Sequence, residues 1–422
     1  MTDLITSYLQ YTKDTEPPAI FHRWSMLTCV AAYLSRDIHI NHGHFTIYPN
    51  LYTLLIGSAG SRKSSAINIA KGLLKQSGFD HFSPTKTTKE KFFIDMAEHS
   101  ANGAGAAEDF LEQTLFGDRS DDTSSVSEMF IVAGEFNTFF GNNILDFVTD
   151  LGELWDYNGR FESKVKNSKS VQIMNPTINI LGGNTPTGFS AAFPIEILGQ
   201  GFFSRTLMIY GERTREKITW PEPPDAEHTA QLLITLRAIK AQAIQSGRVT
   251  ISAEAKELLN TIYMSWNDLD DARFESYSNS RFTHLLKLCM ITTAIRLGSV
   301  ISSEDVIYAN TVLSYAEHFM PKALGEFGKA RHADVAHKIL QVLESTNETL
   351  GATDLWKYVH NDLDKPSDLS TILENLVRAE KVQTFKGKFL PKKRVVREVN
   401  DDLKSEVINF NLLSKEERDS LT

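Results

Sequence analysis

The sequence is poor in cysteine and has no long apolar run. Among its 422 residues are two cysteines, Cys29 and Cys289, which are far apart and lie in apolar stretches. Two distant cysteines exclude a disulfide framework and a four-cysteine zinc site, so we expect buried free thiols, as in a reducing cytoplasm. Apolar runs stay below about 18 residues, and no signal peptide opens the chain, so neither a membrane span nor export is expected.

Positive charge is also in the minority. The chain has 44 Lys and Arg against 53 Asp and Glu, which gives a formal net charge of −9. A field of this sign repels phosphates, so any nucleic-acid contact must come from local basic patches. Apolar residues make up 41% and charged residues 23%. These values are typical of a globular protein and exclude a disordered or collagen-like chain.

Four short apolar runs predict the strands of a parallel sheet. They cover residues 50–56, 129–133, 177–181 and 205–210, and each is followed by a glycine. Helical patterns lie between most of the runs. Strands that are apolar throughout and alternate with helices are typical of a sheet that is buried on both faces. We therefore predict an α/β fold with a mostly parallel sheet, in a core that spans residues 49–220.

The segments around this core predict four further regions. The double proline Pro17-Pro18 is suited to start a helix before the core. Three helical patterns are followed by two β runs around Gly387, which is the order of a winged helix. The predicted regions are an N-terminal helical region (1–48), a helical lid domain (225–328), a winged-helix-like domain (330–397) and a loosely held acidic tail (398–422).

The strongest motif is Gly57-x-x-x-x-Arg62-Lys63-Ser64, directly after the first apolar run. In a phosphate-binding loop (P-loop), backbone N–H groups surround a phosphate, a Lys reaches the β- and γ-phosphates, and a Ser hydroxyl ligates Mg²⁺. The motif predicts ATP and Mg²⁺ as cofactors. The predicted nucleotide-binding residues are Gly57, Gly60, Ser61, Arg62, Lys63, Ser64 and Ser65. The alternative is a Gly/Ser turn before a surface helix that carries a chance Lys-Ser pair.

Two positions depart from the common P-loop pattern. Arg62 replaces the usual Gly, which costs about 1 kcal/mol if the backbone there is left-handed, although Arg62 could also add a phosphate contact. Gly134 replaces the usual Asp in front of Glu135. Glu135 is predicted to bind Mg²⁺ with Ser64 and to polarise the attacking water, alone or with another acid. The other acids considered are Asp146, Asp150 and Asp156. The alternative is a surface Glu at a strand end.

Asn184 and Arg205 are two further catalytic candidates. Asn184 follows the third run, and side chains at the carboxyl ends of parallel strands line a ligand crevice. Its amide is predicted to orient water against the γ-phosphate; otherwise it forms an Asn-Thr-Pro turn. Arg205 precedes the fourth run and is predicted to stabilise charge at a neighbouring subunit's γ-phosphate. Arg213 and Arg215 are rivals for that role, and the alternative for Arg205 is a structural ion pair.

Three basic patches are candidates for nucleic-acid contact. The favoured patch lies between the second and third runs, where a loop into a ring pore would stack bases on aromatic rings. Its residues are Tyr157, Arg160, Phe161, Lys164, Lys166 and Lys169. On the predicted wing, residues 378–397 hold eight basic residues and one acid, among them Lys386, Lys388, Lys392 and Lys393. The third patch is Lys86, Lys89 and Lys91. The alternatives are a solvated hairpin or a subunit contact for the wing, and an exposed helix start for the third patch.

These motifs occur together in phage and prophage P-loop ATPases of the primase/helicase-like or replicative-helicase-like type, and the chain resembles that family over residues 15–325. The resemblance is carried by Trp24, Tyr48-Pro-Asn-Leu-Tyr52, Gly57 to Ser64, Gly134-Glu135, Asn175-Pro176, Asn184-Thr-Pro186, Gly201 to Arg205 and Arg281 to Cys289. It implies a RecA/AAA+-type core in a ring-forming DNA motor, a hexamer with ATP bound between subunits. It also implies Lys63 and Ser64 as phosphate and Mg²⁺ ligands, Glu135 as catalytic acid, Asn184 as γ-phosphate sensor and Arg205 as arginine finger.

We predict an ATP-hydrolysing replicative DNA helicase of a phage, which works in the cytoplasm of the host cell. Its expected partners are single-stranded DNA, further copies of the chain, and phage or host replication proteins. One alternative is a helicase loader or initiator with slow hydrolysis, which Gly134 and the winged helix favour. The other is a nucleotide-sensing regulator that binds duplex DNA. Since the sequence shows neither a zinc ribbon nor an acidic primase constellation, priming is not expected.

Overall fold

The structure, a computed structural model, divides into two units. One comprises Met1–Phe327 together with Asp401–Thr422, and the other comprises Gly328–Asn400. Each unit has an apolar core of its own. The residues that the structure describes are 3–102, 126–140, 144–163, 171–214, 217–266, 268–269, 271–325, 327, 333–346, 349–363, 365–378, 382–385, 387–391 and 407–421.

The first unit consists of helices around a short central sheet. Up to residue 327 its helices are α1 (Leu4–Tyr11), α2 (Ala19–Leu34), α3 (Lys63–Gln76), α4 (Lys89–Asn102), α5 (Ile144–Glu153), α6 (Pro186–Ala192), α7 (Gly201–Ser204), α8 (Ala226–Ser246), α9 (Ala253–Ser265), α10 (Glu275–Ile295) and α11 (Ser303–Leu324). Its strands are β1 (Ile40–His42), β2 (Phe45–Ile47), β3 (Tyr52–Ile56), β4 (Glu128–Ala133), β5 (Arg160–Ser163), β6 (Val171–Met174), β7 (Thr177–Asn184), β8 (Thr206–Tyr210), β9 (Thr250–Ile251) and β10 (Val300–Ile301). Of the helices described, none has the length and apolar content to cross a lipid bilayer.

A parallel sheet of four strands lies at the centre of the first unit, in the order β4-β7-β3-β8. The register aligns Tyr52 of β3 with Ile180 of β7 and with Thr206 of β8. β3 and β7 are buried along their whole length, which is why their sequences do not alternate between apolar and polar residues. The predicted α/β fold with a parallel sheet is confirmed, and each of the four predicted strands belongs to this sheet.

The two ends of this sheet carry different residues. Because the strands are parallel, the turns that follow them lie at one edge, called here the carboxyl edge. Gly57 and Gly134 begin two of these turns, and the Gly57 amide donates to the carbonyl of Asn184 (3.2 Å) on the neighbouring strand. The opposite edge, called here the amino edge, carries residues that precede the strands, among them Asn50 and Arg205.

The N-terminal region is helical up to residue 34 and then forms a hairpin. α2 begins after Pro18, which is its N-cap residue, as the double proline predicts. β1 and β2 pair in antiparallel orientation, with His42 opposite Phe45. The sequence does not predict this hairpin, because strands of three residues give too short a pattern. Cys29 in α2 and Cys289 in α10 are buried free thiols, as predicted.

The second unit is a small group of helices with a three-stranded antiparallel sheet. Its elements are α12 (Ala333–Thr346), α13 (Ala352–Val359), α14 (Pro366–Arg378), β11 (Leu350–Gly351), β12 (Val382–Phe385) and β13 (Lys388–Pro391). The strand order is β11-β13-β12. The three helices and the hairpin around Gly387 lie where the sequence predicts them. The short strand β11 is not indicated by the sequence.

The last described segment, residues 407–421, belongs to the first unit and contains α15 (Lys415–Asp419). Glu417 forms an ion pair with Arg23 of α2 (Oε2 to Nη2, 2.6 Å), and the two side chains are 1% and 2% exposed. Burial alone would raise the pKa of Glu417, but the Arg23 guanidinium and bonds from Ser414 hold it below its ordinary value. The prediction of a loosely held tail is wrong for these residues, because the partner of Glu417 lies 394 positions away and leaves no local signal.

We expect Glu417→Ala to lower the free energy of unfolding by about 3–5 kcal/mol, because Arg23 would remain as a buried charge without its carboxylate. The measurement is urea-induced unfolding of the full chain, followed by tryptophan fluorescence. Lys91→Ala is the control, since the Lys91–Asp95 pair has its Lys 58% exposed and exposed pairs contribute about 0–1 kcal/mol. Equal losses in the two variants would contradict the role given to Glu417.

Candidate functional site

Residues 57–62, called here the Gly57 loop, connect β3 to α3 at the carboxyl edge. The last of them, Arg62, has φ 60° and ψ 25°. This is the left-handed conformation, so the cost of about 1 kcal/mol relative to Gly applies to this chain. Within the loop, Gly60 is exposed and the Ser61 hydroxyl donates to the carbonyl of Ser58 (2.9 Å). The loop leads directly into α3, whose first N–H groups have no acceptor within the helix.

Lys63, the first residue of α3, extends back into the Gly57 loop. Its Nζ donates to the carbonyl oxygens of Gly57 (2.9 Å) and Ser58 (3.0 Å) and to the hydroxyl of Ser61 (3.2 Å). The residue is 5% exposed. Burial lowers the pKa of Lys63, and the negative charge of Glu135 acts in the opposite direction. A desolvated cation beside the N-terminus of a helix is an arrangement that attracts anions.

Ser64 and Ser65 are exposed in the first turn of α3. The Ser64 hydroxyl donates to the carbonyl of Gly134 (3.4 Å), which directly follows β4. A Cβ atom on Gly134 would lie 2.9 Å from Ser64 Oγ, and one on Gly183 would lie 2.4 Å from the Gly134 carbonyl oxygen. Glycine at position 134, in place of the usual Asp, therefore allows α3 to approach the end of β4 closely.

Glu135 is exposed next to this contact. The three acids considered as its helpers are engaged in ion pairs. Their partners are Lys89 for Asp146 and Asp150, at 2.7 and 2.8 Å, and Lys287 for Asp156, at 2.7 Å. Asp156 is moreover at the amino edge, where Lys287 also binds Asn50. Glu135 is thus the candidate acid of the carboxyl edge.

Asn184 ends β7 and is buried, and its amide is fixed on both sides. Its Nδ2 donates to Oδ1 of Asn137, and its Oδ1 accepts from the Thr185 amide (2.8 Å). Asn137 in turn donates to the carbonyl of Gly188 (3.0 Å). The helix α6 is capped by the Thr185 hydroxyl, so Asn184 is not needed as the capping residue. The sequence analysis missed Asn137, whose only signal is a polar residue among phenylalanines.

Glu16 is a second residue that the sequence analysis missed. Its carboxylate pairs with Arg62 Nε and accepts from the amide of Ile218 (3.1 Å), and its carbonyl accepts from Thr214 Oγ1 (2.7 Å). The Ile218 bond and then the Arg62 guanidinium lower the pKa of Glu16. The phosphate contact considered for Arg62 is therefore replaced, in this structure, by a contact with the segment before α2. The signal in the sequence is an acid directly before two prolines.

Arg205 does not join the residues of the carboxyl edge. It is the C-cap residue of α7 and precedes β8, so a strand length of roughly 16 Å separates it from the Gly57 loop. Its guanidinium lies 6.0 Å from the ring of Trp155. Arg213 follows β8 at the carboxyl edge and is exposed. Arg215 lies outside the described residues.

A buried polar network holds the amino edge together. Nζ of Lys287 donates to the carbonyl of Tyr48 (2.8 Å) and to Oδ1 of Asn50 (2.7 Å). Asn50 donates to the carbonyls of Trp155 (2.7 Å) and Ile178 (3.2 Å). Burial lowers the pKa of Lys287. Residues 48–52 and 281–289, which are far apart in the sequence, thus meet in one structural network.

The favoured basic patch lies on the hairpin of β5 and β6, which pairs Arg160 with Met174. Arg160 is exposed near the base of the hairpin. Lys164, Lys166 and Lys169 lie outside the described residues. The hairpin base is fastened by Arg36, which donates to the side chains of Asn158 (2.7 Å) and Thr177 (2.6 Å). The hairpin therefore starts from a fixed base at the amino edge.

The other two basic patches differ in how much of them is described. In the second unit Lys388 is exposed on β13. Lys386, Lys392 and Lys393 lie outside the described residues. In the third patch, Lys89 pairs with two aspartates and Lys91 pairs with Asp95 at 2.6 Å. Both lysines lie in the first turn of α4 and are paired with acids, and Lys91 is 58% exposed, which agrees with the alternative of an exposed helix start.

The oxygen atoms at the carboxyl edge suit a magnesium ion. Ser64 and Glu135 offer a hydroxyl and a carboxylate, and both side chains are exposed near the Gly57 loop. Mg²⁺ prefers such hard oxygen ligands and usually keeps several waters, with one or two protein ligands and the phosphates completing its shell. In the part of the chain that the structure describes, no three His, Cys, Asp or Glu side chains gather as a metal site.

We expect Arg62→Gly to be more stable than Arg62→Ala by about 1 kcal/mol, because both variants lose the Glu16 pair and only Gly tolerates the left-handed backbone. The measurement is urea-induced unfolding of both variants. The matched control is the pair Lys75→Gly and Lys75→Ala on the exposed face of α3, where Gly is the less stable by about 1 kcal/mol. If the Gly variant were less stable than the Ala variant at both positions, position 62 would not need a left-handed backbone.

Two comparisons with known proteins found no match, neither to a family model nor to a curated protein. What the carboxyl edge can do chemically is therefore read from its own geometry. It combines a desolvated lysine, the N-terminus of a long helix, an exposed hydroxyl, an exposed carboxylate and a fixed amide. This combination is suited to bind a phosphate chain and to act on its end.

Proposed function

We propose that the first unit is a P-loop NTPase that binds ATP with Mg²⁺ at the carboxyl edge and hydrolyses it. The observation that carries the proposal is the position of Lys63, whose ammonium is enclosed by the Gly57 loop at the start of α3. A lysine so placed can exchange its loop carbonyls for phosphate oxygens without moving its helix. If the loop were only a Gly/Ser turn that happens to precede a Lys-Ser pair, the lysine would be exposed to solvent. Lys63 is instead buried.

In the proposed reaction four residues of this edge have defined tasks. Lys63 and the free N–H groups of α3 bind the β- and γ-phosphates. Ser64 and Glu135 hold Mg²⁺, which neutralises charge on the phosphates. Glu135 also orients and polarises the attacking water, and the fixed amide of Asn184 holds that water against the γ-phosphate. Arg62 keeps its ion pair with Glu16 and is not assigned a phosphate contact.

The position of Arg205 supports action between subunits. It lies at the amino edge, one strand length from the Gly57 loop of its own chain, so it cannot reach a phosphate bound at that loop. An arginine supplied in trans stabilises the transition-state charge and couples hydrolysis to assembly. We therefore propose a ring of subunits, a hexamer as in the family that the chain resembles, with Arg205 completing the neighbour's site.

The contacts proposed for DNA lie at the amino edge and in the second unit. The β5–β6 hairpin, fixed at its base by Arg36, would present Arg160, Lys164 and Lys166 to a single strand in the pore of the ring. The second unit, with its helices and hairpin in the winged-helix order, would add Lys386, Lys388, Lys392 and Lys393. With these contacts the protein is proposed as the replicative helicase of a phage, in the cytoplasm of its host.

One observation favours a second candidate, a helicase loader or initiator with slow hydrolysis. Gly134 leaves no carboxylate beside Glu135, and a Cβ there would lie 2.9 Å from Ser64 Oγ. The site therefore cannot take the usual Asp without moving Ser64. A site with one acid binds nucleotide well and turns it over slowly, which suits a switch better than a motor.

We expect Lys63→Ala to weaken ATP binding at least about tenfold, and Glu135→Gln to preserve binding while lowering kcat about 10²–10⁴-fold, as for loss of a general base. The measurements are equilibrium binding of Mg-ATP and steady-state hydrolysis with and without single-stranded DNA. Lys75→Ala, an exposed lysine on the same helix, is the matched control. Strong stimulation of ATP hydrolysis by single-stranded DNA favours the helicase, whereas slow hydrolysis that DNA does not accelerate favours the loader. Unchanged ATP binding in Lys63→Ala would refute the proposed site.

We expect the triple variant Arg160→Ala, Lys164→Ala, Lys166→Ala to bind single-stranded DNA more weakly and to reduce the slope of log affinity against log salt by about two. Each phosphate contact on a single strand contributes about 0.7 to that slope. The measurement is fluorescence anisotropy of a labelled oligonucleotide at several salt concentrations. The control is a triple variant that removes the same charge elsewhere, Lys13→Ala, Lys75→Ala and Lys256→Ala. An equal effect of both triples would assign the binding to net charge alone.

A further inference from the structure

On the proposed function, the contacts at the carboxyl edge fix the direction in which a nucleotide lies. Ser64, against Gly134, and Asn184 are on the side of β4 and β7, and they are the residues assigned to Mg²⁺ and the γ-phosphate. β8 lies on the other side of β3. The sugar and the base must then extend from the Gly57 loop toward β8 and the residues that follow it.

The segment after β8 is fastened beside the Gly57 loop. A Cβ atom on Gly57 would lie 2.4 Å from the carbonyl oxygen of Gly211, so the two backbones are in direct contact. Further along, Glu16 accepts from the amide of Ile218 (3.1 Å) with one carboxylate oxygen and pairs with Arg62 through the other. The Glu16 carboxylate thereby links the Ile218 amide to Arg62, the last residue of the loop.

Trp220 lies two residues beyond Ile218 and is 87% exposed. Two residues span at most about 7 Å, so its backbone stays close to the Glu16–Arg62 pair. An indole offers the largest flat apolar face of any side chain, and aromatic side chains stack on bases of any sequence. The backbone of Trp220 is thus on the side of the Gly57 loop toward which the base extends in this arrangement, and its ring is exposed there.

We infer that Trp220 stacks on the base of the bound nucleoside triphosphate, while Glu16 positions the Trp220 segment against the Gly57 loop. The inference rests on the proposed function and adds to it the residue that binds the base. It separates the site into a part that recognises phosphates, centred on Lys63, and a part that recognises the base, centred on Trp220.

The test compares two ligands that share the phosphate chain. Equilibrium binding of Mg-ATP and of Mg-tripolyphosphate is measured for wild type, Trp220→Ala, Trp220→Phe and Lys63→Ala. We expect Trp220→Ala to weaken ATP binding about tenfold and to leave tripolyphosphate binding within about twofold of wild type. Trp220→Phe retains most of the ATP affinity, and Lys63→Ala weakens both ligands.

Two controls separate stacking from other effects. Phe45→Ala removes another exposed aromatic ring, 73% exposed on β2, and is expected to change neither ligand. ATP is expected to quench part of the tryptophan fluorescence of wild type and to quench less in Trp220→Phe, whereas tripolyphosphate quenches in neither. Because the ring of Trp220 is exposed, its removal is expected to leave urea unfolding of the chain unchanged.

The outcomes distinguish this inference from the proposed function. If Trp220→Ala binds ATP as wild type does while Lys63→Ala loses both ligands, the phosphate site stands and the stacking role is refuted. If Trp220→Ala instead weakens self-association in sedimentation and leaves ATP binding intact, the ring is a subunit contact and the inference is likewise overturned. If wild type binds neither ligand, the proposed function itself fails.

Discussion

The close contact between the start of α3 and the end of β4 is the constraint on which the carboxyl edge depends. It requires glycine at 134 and 183, where a Cβ would lie 2.9 Å from Ser64 Oγ and 2.4 Å from the Gly134 carbonyl. The Ser64 side chain therefore packs on the backbone of Gly134, and the Gly134 carbonyl packs on the backbone of Gly183. The consequence is that a lysine, a hydroxyl, a carboxylate and an amide from three separate strand ends lie within one small volume.

The same sheet separates two kinds of chemistry. Its carboxyl edge holds the groups suited to phosphate, and its amino edge holds Arg205, the Lys287 network and the base of the β5–β6 hairpin. The strands between them are short and buried, so the two edges are held at a fixed separation. In the proposed ring, such a subunit would place the proposed nucleotide site on one side, and Arg205 and the proposed DNA contacts on the other.

The fold and the site were predictable from the sequence to different degrees. The four central strands could be predicted because a strand buried on both faces leaves a continuous apolar run. The Gly57 loop could be predicted because its residues are contiguous. Asn137, Glu16 and Arg36 could not, since each acts through partners far along the chain and a single polar residue carries no period. The packing of residues 407–421 could not be predicted either. Their acidic composition is typical of a solvated tail, and the partner of Glu417 lies far along the chain.

Residues 407–421 belong to the first unit although the second unit precedes them in the chain. The second unit lies between two parts of the same body, so it is an insertion with two attachments rather than an appended domain. A chain shortened before residue 407 would lose Glu417 and leave the buried guanidinium of Arg23 without its carboxylate. Removing the second unit alone, with its two ends joined, would preserve that pair. The buried Arg23–Glu417 pair of the first unit can therefore form only after the whole second unit has been synthesised.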